Sequence, residues 1–251
     1  MLPAVQLGGI SIHLFGVIYV IGLVSGATLS FHRLQQLRRP PRHVMQAAAL
    51  IFVGGALGAS GGVRAIVALQ GVLQPGQAVK WDGISVLGAL AGGMLVALAC
   101  CLVYRAPVGR AFDLGVLPVP LAQAIGRLGC FAAGCCYGRP TDSWLGMVLP
   151  GENGSWQARY PTQLMSAGAD LFIFASLLAV ERCAGQRRPF DGFLFLLYGA
   201  LYCLKRLGME FLRGDALPPL AGPLNLVQLL CLAVLVGIGG RLAWRASRQT
   251  A

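Results

Sequence analysis

Seven mostly apolar runs divide the chain, near residues 13–31, 45–69, 83–104, 111–136, 163–182, 190–212 and 224–243, and no other feature restricts the fold as much. A helix rises about 1.5 Å per residue against about 30 Å of hydrocarbon, so about 20 residues cross a bilayer. No water reaches a backbone amide there, and segments of this kind fold as helices. One large soluble core is the alternative, and composition closes it. Of 251 residues, 56% are hydrophobic and only 12% charged, where soluble domains carry about 25% charged. So few charges cannot cover a water-facing surface. The sequence predicts an all-α integral membrane protein of about seven transmembrane helices, in a single polytopic domain over residues 1–251.

Charge orients that domain. Twenty Lys and Arg against nine Asp and Glu give a net charge of +11. The cations lie in short runs between apolar stretches rather than on one face with aromatics, which suits an anionic membrane surface and makes no case for nucleic acid. With seven spans, one set of loops holds Arg33, Arg38, Arg39, Arg42, Arg105, Arg110, Arg182, Arg187, Arg188, Arg241, Arg245 and Arg248. The opposite set holds Lys80, Arg139, Arg159 and Arg213. Cytoplasmic loops carry the excess, so the N-terminus is expected outside and the C-terminus in the cytoplasm. No basic segment precedes the first run, which therefore reads as a first transmembrane helix rather than a cleavable signal. The longest outward connection, 137–162, contains Trp144 and Trp156, Asp142, Glu152 and Asn153. It suits either an interfacial loop at headgroup depth or a structured loop with packed aromatics.

Inside the spans, Pro118 and Pro120 should kink or break the fourth helix. A membrane tolerates this only where neighbouring helices or a polar cavity satisfy the freed carbonyls. Gly54, Gly58, Gly61 and Gly62 on the second run, with Gly88, Gly92 and Gly93 on the third, predict close packing of those two helices. Four basic residues, Arg64, Arg127, Lys205 and Arg206, fall within spans, where a charge is costly and faces protein or water.

Two constellations carry chemistry. The first is Gly126-Arg127-Leu128-Gly129-Cys130-Phe131, continuing to Cys135, Cys136, Gly138, Arg139 and Thr141. Arg127 lies about fifteen residues, ~22 Å, from the cytoplasmic end, hence in the outer half of the bilayer. Its planar guanidinium suits a phospholipid phosphate; equally, a buried carboxylate or helix-end carbonyls could neutralise it. The second is Lys205-Arg206 followed by Glu210, Arg213 and Asp215. Arg206 and Glu210 share a helical face four residues apart, at roughly the same depth. Alone this could be a helix end with an internal ion pair and snorkelling side chains.

The stretch from Gly126 to Thr141 resembles the signature of bacterial prolipoprotein diacylglyceryl transferases, Gly-Arg-x-Gly-Asn-Phe followed by Gly-Glu and a Gly-Arg-x-Thr-type tail. Ile10 to Tyr19 is similar to the family's first helix with its tyrosine, Asp82-Gly83-Ile84-Ser85 to its Gly-Gly-(Met/Ile)-Ser stretch, Tyr160-Pro161-Thr162-Gln163-Leu164 to His-Pro-x-Gln-Leu, and Arg206 to Asp215 to Arg-x3-Glu-Phe-x-Arg-x-Asp. The resemblance implies transfer of the sn-1,2-diacylglyceryl group from phosphatidylglycerol to the lipobox cysteine thiol of a prolipoprotein signal peptide. It places the protein in the bacterial plasma (inner) membrane, among membrane lipids, without a cofactor. Arg127, Arg206, Glu210 and Tyr19 match the family's catalytic residues, and Arg127, Gly129, Cys130, Cys135, Arg139 and Arg213 fall at substrate-binding positions.

The departures concentrate in the site. Cys130 and Cys135 stand for the family's Asn and Glu, Leu87 and Tyr160 for two His, and Ser166 near the place of a further glutamate. Of the three His, His32 and His43 belong to the cytoplasmic side and His13 to the outer end of the first span. Phosphate-holding groups are kept while proton-handling groups are not. The eight Cys lie mostly in apolar runs, without the spacing of a disulfide scaffold. On a helix Cys130 is five residues from Cys135 and six from Cys136, a poor spacing for a shared metal, so no metal is expected. They read as small packing residues or, beside Arg127, as a reactive thiol. A relative that binds headgroups without transfer, or does thiol-redox chemistry, is the alternative function.

Overall fold

The computed structural model describes residues 5–7, 10–12, 14–73, 85–151, 155–184 and 188–249. His13, Lys80, Asp82, Gly83, Ile84, Glu152, Asn153 and Arg187, named above, lie outside the described residues. A short hairpin, β1 (Val5–Leu7) with β2 (Ile10–Ile12), precedes α1 (Leu14–Leu34). Then come α2 (Pro41–Leu73), α3 (Val86–Val103), α4 (Val108–Val116), α5 (Pro118–Ala133), α6 (Thr162–Ala184), α7 (Phe193–Glu210) and α8 (Leu226–Gln249). Between α5 and α6 lies a second antiparallel hairpin, β3 (Met147–Pro150) with β4 (Trp156–Arg159). A third, β5 (Pro219–Ala221) with β6 (Leu224–Asn225), precedes α8.

Among the described residues six helical segments are long and apolar enough to cross a membrane: α1, α2, α3, α4 with α5, α6 and α8. The protein is an all-α integral membrane protein. The run at 190–212 became α7, which has 18 residues but carries Lys205, Arg206 and Glu210. Those charges, not its length, set it apart from the six.

The fourth run breaks at Leu117, between α4 and α5. Pro118 lacks the N–H that would bond the carbonyl of Leu114, four residues back. The Nε of Arg33, at the end of α1, donates to that carbonyl instead at 3.0 Å. A neighbouring side chain thus does what the sequence assigned to a neighbour or a cavity.

Glycine seams set the helix contacts. A Cβ on Gly58 would sit 2.3 Å from the Gly88 carbonyl, and one on Gly92 would sit 2.3 Å from that of Gly54. α2 and α3 therefore pack backbone to backbone, as predicted. Against α5, α1 presents buried Gly22 and Gly26, with Gly129 facing Phe15 and Ile18. The core beyond is built around buried Leu177 of α6, Leu194, Tyr198 and Tyr202 of α7, and Cys231 of α8.

The basic loops gather at one end of the bundle. Arg33 pairs with Glu181 at the end of α6 at 2.5 Å, and Arg188 reaches Glu181 at 3.5 Å and Asp113 at 3.7 Å. Buried Asp113 of α4 accepts from the N–H groups of Gly192 and Phe195, which satisfies the otherwise unpaired donors at the start of α7. His43 stacks on Tyr104 there, and His32 lies in the last turn of α1. Trp144 and Trp156 are 90% and 61% exposed, so neither is a packed loop aromatic.

Candidate functional site

The opposite end joins three chain segments. α5 stops at Ala133 because Gly134 takes a left-handed conformation (φ 75°), its N–H donating to Phe131 O at 3.1 Å while that of Cys135 donates to Cys130 O at 3.2 Å. The helix thus ends three residues short of the 136 expected from its apolar run. The cap turns the chain back over its own last turn, with Cys136 also at positive φ (57°). The Sγ atoms of Cys130, Cys135 and Cys136 consequently lie within 4.8 Å of one another, which helical spacing would not allow.

Backbone bonds then stitch the turn to the start of α6 and the end of α7. Gly138 N–H donates to Tyr160 O (3.0 Å), Arg139 N–H to Leu212 O (2.9 Å) and Gly214 N–H to Tyr137 O (3.1 Å). Gly138 has to be glycine, since a Cβ would lie 2.4 Å from the Tyr160 carbonyl. Two side chains of α6 finish the seam: Thr162 Oγ1 donates to Cys136 O and Gln163 Nε2 to Cys135 O, both at 2.8 Å. The Tyr160-Pro161-Thr162-Gln163 motif thus holds the cysteine turn in place.

The α7 charges are buried and mostly paired. Arg206 and Glu210 meet at 2.7 Å, an ion contact without hydrogen-bond alignment at Glu210 Oε2. Glu210 Oε1 accepts from Asn225 Nδ2 at 2.9 Å. Asn225 is itself fixed at the start of α8, its Oδ1 accepting from Gln228 N–H while Gln228 Oε1 accepts from Asn225 N–H, both at 3.0 Å. This reciprocal capping box anchors the glutamate. Lys205 pairs with fully buried Asp170 of α6 at 2.5 Å and lies 4.7 Å over the Tyr202 ring. Arg213 holds Asp215 with two bonds, at 2.9 and 2.7 Å. Burial works against the charge of Arg213, but Asp215, Cys136 and Glu210 more than offset it and raise its pKa.

Arg127 differs from all of these. Its half-buried side chain makes no ion pair or hydrogen bond among the described residues. Even so it acts electrostatically on Arg206, Lys205, Asp170, Tyr202, Cys130 and Cys136. Of the two options open in the sequence, no buried carboxylate forms an ion pair with it among the described residues. The guanidinium is available for an anion, and Arg206 is its neighbour. Bonds from Cys130 and Cys135 favour the thiolate at Cys136, and Arg213 and Arg127 reinforce this; Cys135 correspondingly has a raised pKa, from its bonds to the same two thiols and from burial.

Other sequence candidates lie on α1, α2, α3, α5 and the turn after α5. Gly129 is at the α1 contact, and Tyr19 is 40% exposed on α1 with its ring stacked on Phe15. Arg139 is exposed at the rim, its guanidinium 6.0 Å from the Tyr160 ring centre. Arg64 is exposed on α2. Leu87 packs against an apolar cluster that contains Leu226 and Val227. Sequence reasoning named Gln163 within a motif without giving it a role, and it missed Asp170, Asn225 and Gln228. The Asn225-x-x-Gln228 spacing before an apolar run is a capping-box signal that could have found the last two. Asp170, an acid midway along its span rather than at an end like Glu181, was a second legible signal.

The sequence model of the family described as prolipoprotein diacylglyceryl transferase matches residues 3–244. The chain is 31% identical to the phosphatidylglycerol–prolipoprotein diacylglyceryl transferase of Clostridium tetani, with 84% of each chain covered. It is 32% identical to that of Trichormus variabilis, covering 98% of this chain and 89% of the relative. For the protein of the same name from Symbiobacterium thermophilum the identity is 31%, over 96% of this chain and 91% of the relative.

Proposed function

Since the chain belongs to the prolipoprotein diacylglyceryl transferase family, we propose that it transfers the diacylglyceryl group of phosphatidylglycerol to the lipobox cysteine thiol of prolipoproteins. One observation carries the assignment of roles: a half-buried guanidinium, Arg127, with no acceptor of its own among the described residues, beside a second, Arg206, held by Glu210. The acceptor thiolate attacks the glycerol carbon that bears the phosphate, the C–O bond breaks, and glycerol phosphate leaves. The phosphodiester carries one negative charge and the leaving monoester two. Cations facing it therefore stabilise the transition state more than the bound lipid, which is the condition for raising the rate.

Arg127 takes the phosphate oxygens in its planar fork. Glu210, fixed by Asn225, orients Arg206 as the second cation. Tyr19, on the adjoining α1, completes the catalytic set. Gly129, Cys130, Cys135, Arg139 and Arg213 belong to the substrate-binding surface around it. We read residues 1–251 as one multi-pass domain in the bacterial plasma membrane, α7 as its seventh span, the N-terminus outside and the C-terminus cytoplasmic. The convergence of Arg33, Arg188 and Arg39 at the end away from the site supports that orientation. Lipid and signal peptide then meet the site from the outer leaflet.

The test is complementation of a bacterial strain depleted of its own diacylglyceryl transferase, with label transfer from phosphatidylglycerol to a lipobox peptide in the same membranes. Growth and thioether formation are expected. A well-expressed protein that does neither refutes the reading.

A further inference from the structure

We infer that Cys130, Cys135 and Cys136 form a three-thiolate site for a thiophilic divalent cation of the zinc class, with its fourth position open to the acceptor's cysteine thiol. Tetrahedral Zn–S bonds of about 2.3 Å put sulfurs about 3.8 Å apart. The three Sγ atoms already lie within 4.8 Å, so closing on an ion draws them in by about 1 Å at most. Their backbone is built for this. Gly134 reverses the chain, Cys136 is held at φ 57°, and Gln163 and Thr162 fix the carbonyls of Cys135 and Cys136.

Three thiolates around a dication leave one net negative charge, and Arg127 and Arg213 both act on Cys136 to offset it. Cys130 and Cys136 are half-buried while Cys135 is exposed, so the cluster is open on one side. Three protein ligands and an open position are the arrangement of a zinc site that acts on a bound group, rather than a closed structural one. A disulfide between two of the thiols would need an oxidant and leave the third without a role.

The site answers a gap in the transfer chemistry, and its fourth ligand rests on that reading. Neither His32 nor His43 is at this end, and the cluster stands where proton-handling groups are lacking. The acceptor thiol binds as thiolate and its proton passes to water. Its sulfur electron pair forms the C–S bond to the glycerol carbon as the C–O bond to phosphate breaks, the pair staying on the phosphate oxygen. Nothing is oxidised or reduced.

The test uses the full chain, purified in detergent and reduced, titrated with Zn2+ alone against a chromophoric chelator and with Co2+ for the thiolate-to-cobalt absorption band. One equivalent of Zn2+ per chain is expected, weakened at least 100-fold in Cys135→Ser, whose exposed side chain folding does not need. Cys183→Ser, at the exposed end of α6, should bind as the parent does. A lipobox peptide should intensify the cobalt band as a fourth thiolate joins, and its Cys→Ser form should not. No tight Zn2+ binding, or equal binding by the Cys135 and Cys183 variants, overturns the site. Undiminished transfer by the metal-free protein also overturns the proposal and leaves the transfer reading intact. Zn2+ bound at the cysteines without transfer under any loading keeps the site, but removes the transfer reading and the fourth ligand with it.

Discussion

Replacing Arg127 separates chemistry from folding in a way that replacing Arg206 or Lys205 does not. Arg206 and Lys205 each hold a buried carboxylate, and losing either partner of such a pair costs about 3–5 kcal/mol because the other charge is stranded. Arg127 strands no ion-pair partner among the described residues, and its removal relieves repulsion at Arg206 and Lys205 while giving up attraction to Asp170. Arg127→Ala should therefore leave the thermal melting temperature in detergent close to that of the parent. In the proposed transfer it removes one of the two cations assigned to the leaving phosphate. A single preorganised donor of this kind is worth about 10²–10³ in rate, ~2.7–4 kcal/mol of barrier. The loss belongs in kcat, since charge grows as the C–O bond breaks. Arg127→Lys should recover little, because an ammonium lacks the planar fork. The assay is the initial rate of label transfer from phosphatidylglycerol to a lipobox peptide in proteoliposomes, with melting measured on the same preparations. A rate for Arg127→Ala within about threefold of the parent, at unchanged melting temperature, would refute the phosphate-holding role.

Lys205→Met strands Asp170, whose second carboxylate oxygen already has no hydrogen bond, and should destabilise by about 3–5 kcal/mol. Adding Asp170→Leu should restore most of the melting temperature; a double variant as unstable as the single one would mean the pair is not the cause. Gly138→Ala drives a Cβ into the Tyr160 carbonyl and should abolish transfer by separating the cysteine turn from α6, with the glycine seam of α2 and α3 intact; normal turnover would argue against the seam as a determinant of the site. Reporter fusions after Leu34 and Arg110 should read cytoplasmic and fusions at Trp144 outside. A cytoplasmic reading at Trp144 would invert the proposed orientation.

Sequence alone determined the features that a few neighbouring residues impose. Apolar runs have to be helical in hydrocarbon, so the spans at α1, α2, α3, α6 and α8 were legible. Pro118 has to break its helix, small residues at four-residue spacing have to allow close approach, and Arg206 and Glu210 have to share a face. Each is a local steric or solvation constraint. Tertiary structure decided everything that depends on distant partners. Lys205 and Asp170 are 35 residues apart, and nothing near either names the other. Arg33 satisfies a carbonyl freed 81 residues away. The cysteine cluster escaped for a subtler reason: helical periodicity was extended three residues too far, and one left-handed glycine, Gly134, replaced a linear spacing with a folded one. That Arg127 has no ion pair among the described residues while Arg206, Lys205 and Arg213 are paired is likewise invisible in the identities of four basic residues. Cost in a low-dielectric interior is decided by which carboxylates come within reach: Glu210 and Asp215 reach Arg206 and Arg213 from along the chain, and only packing brings Asp170 to Lys205.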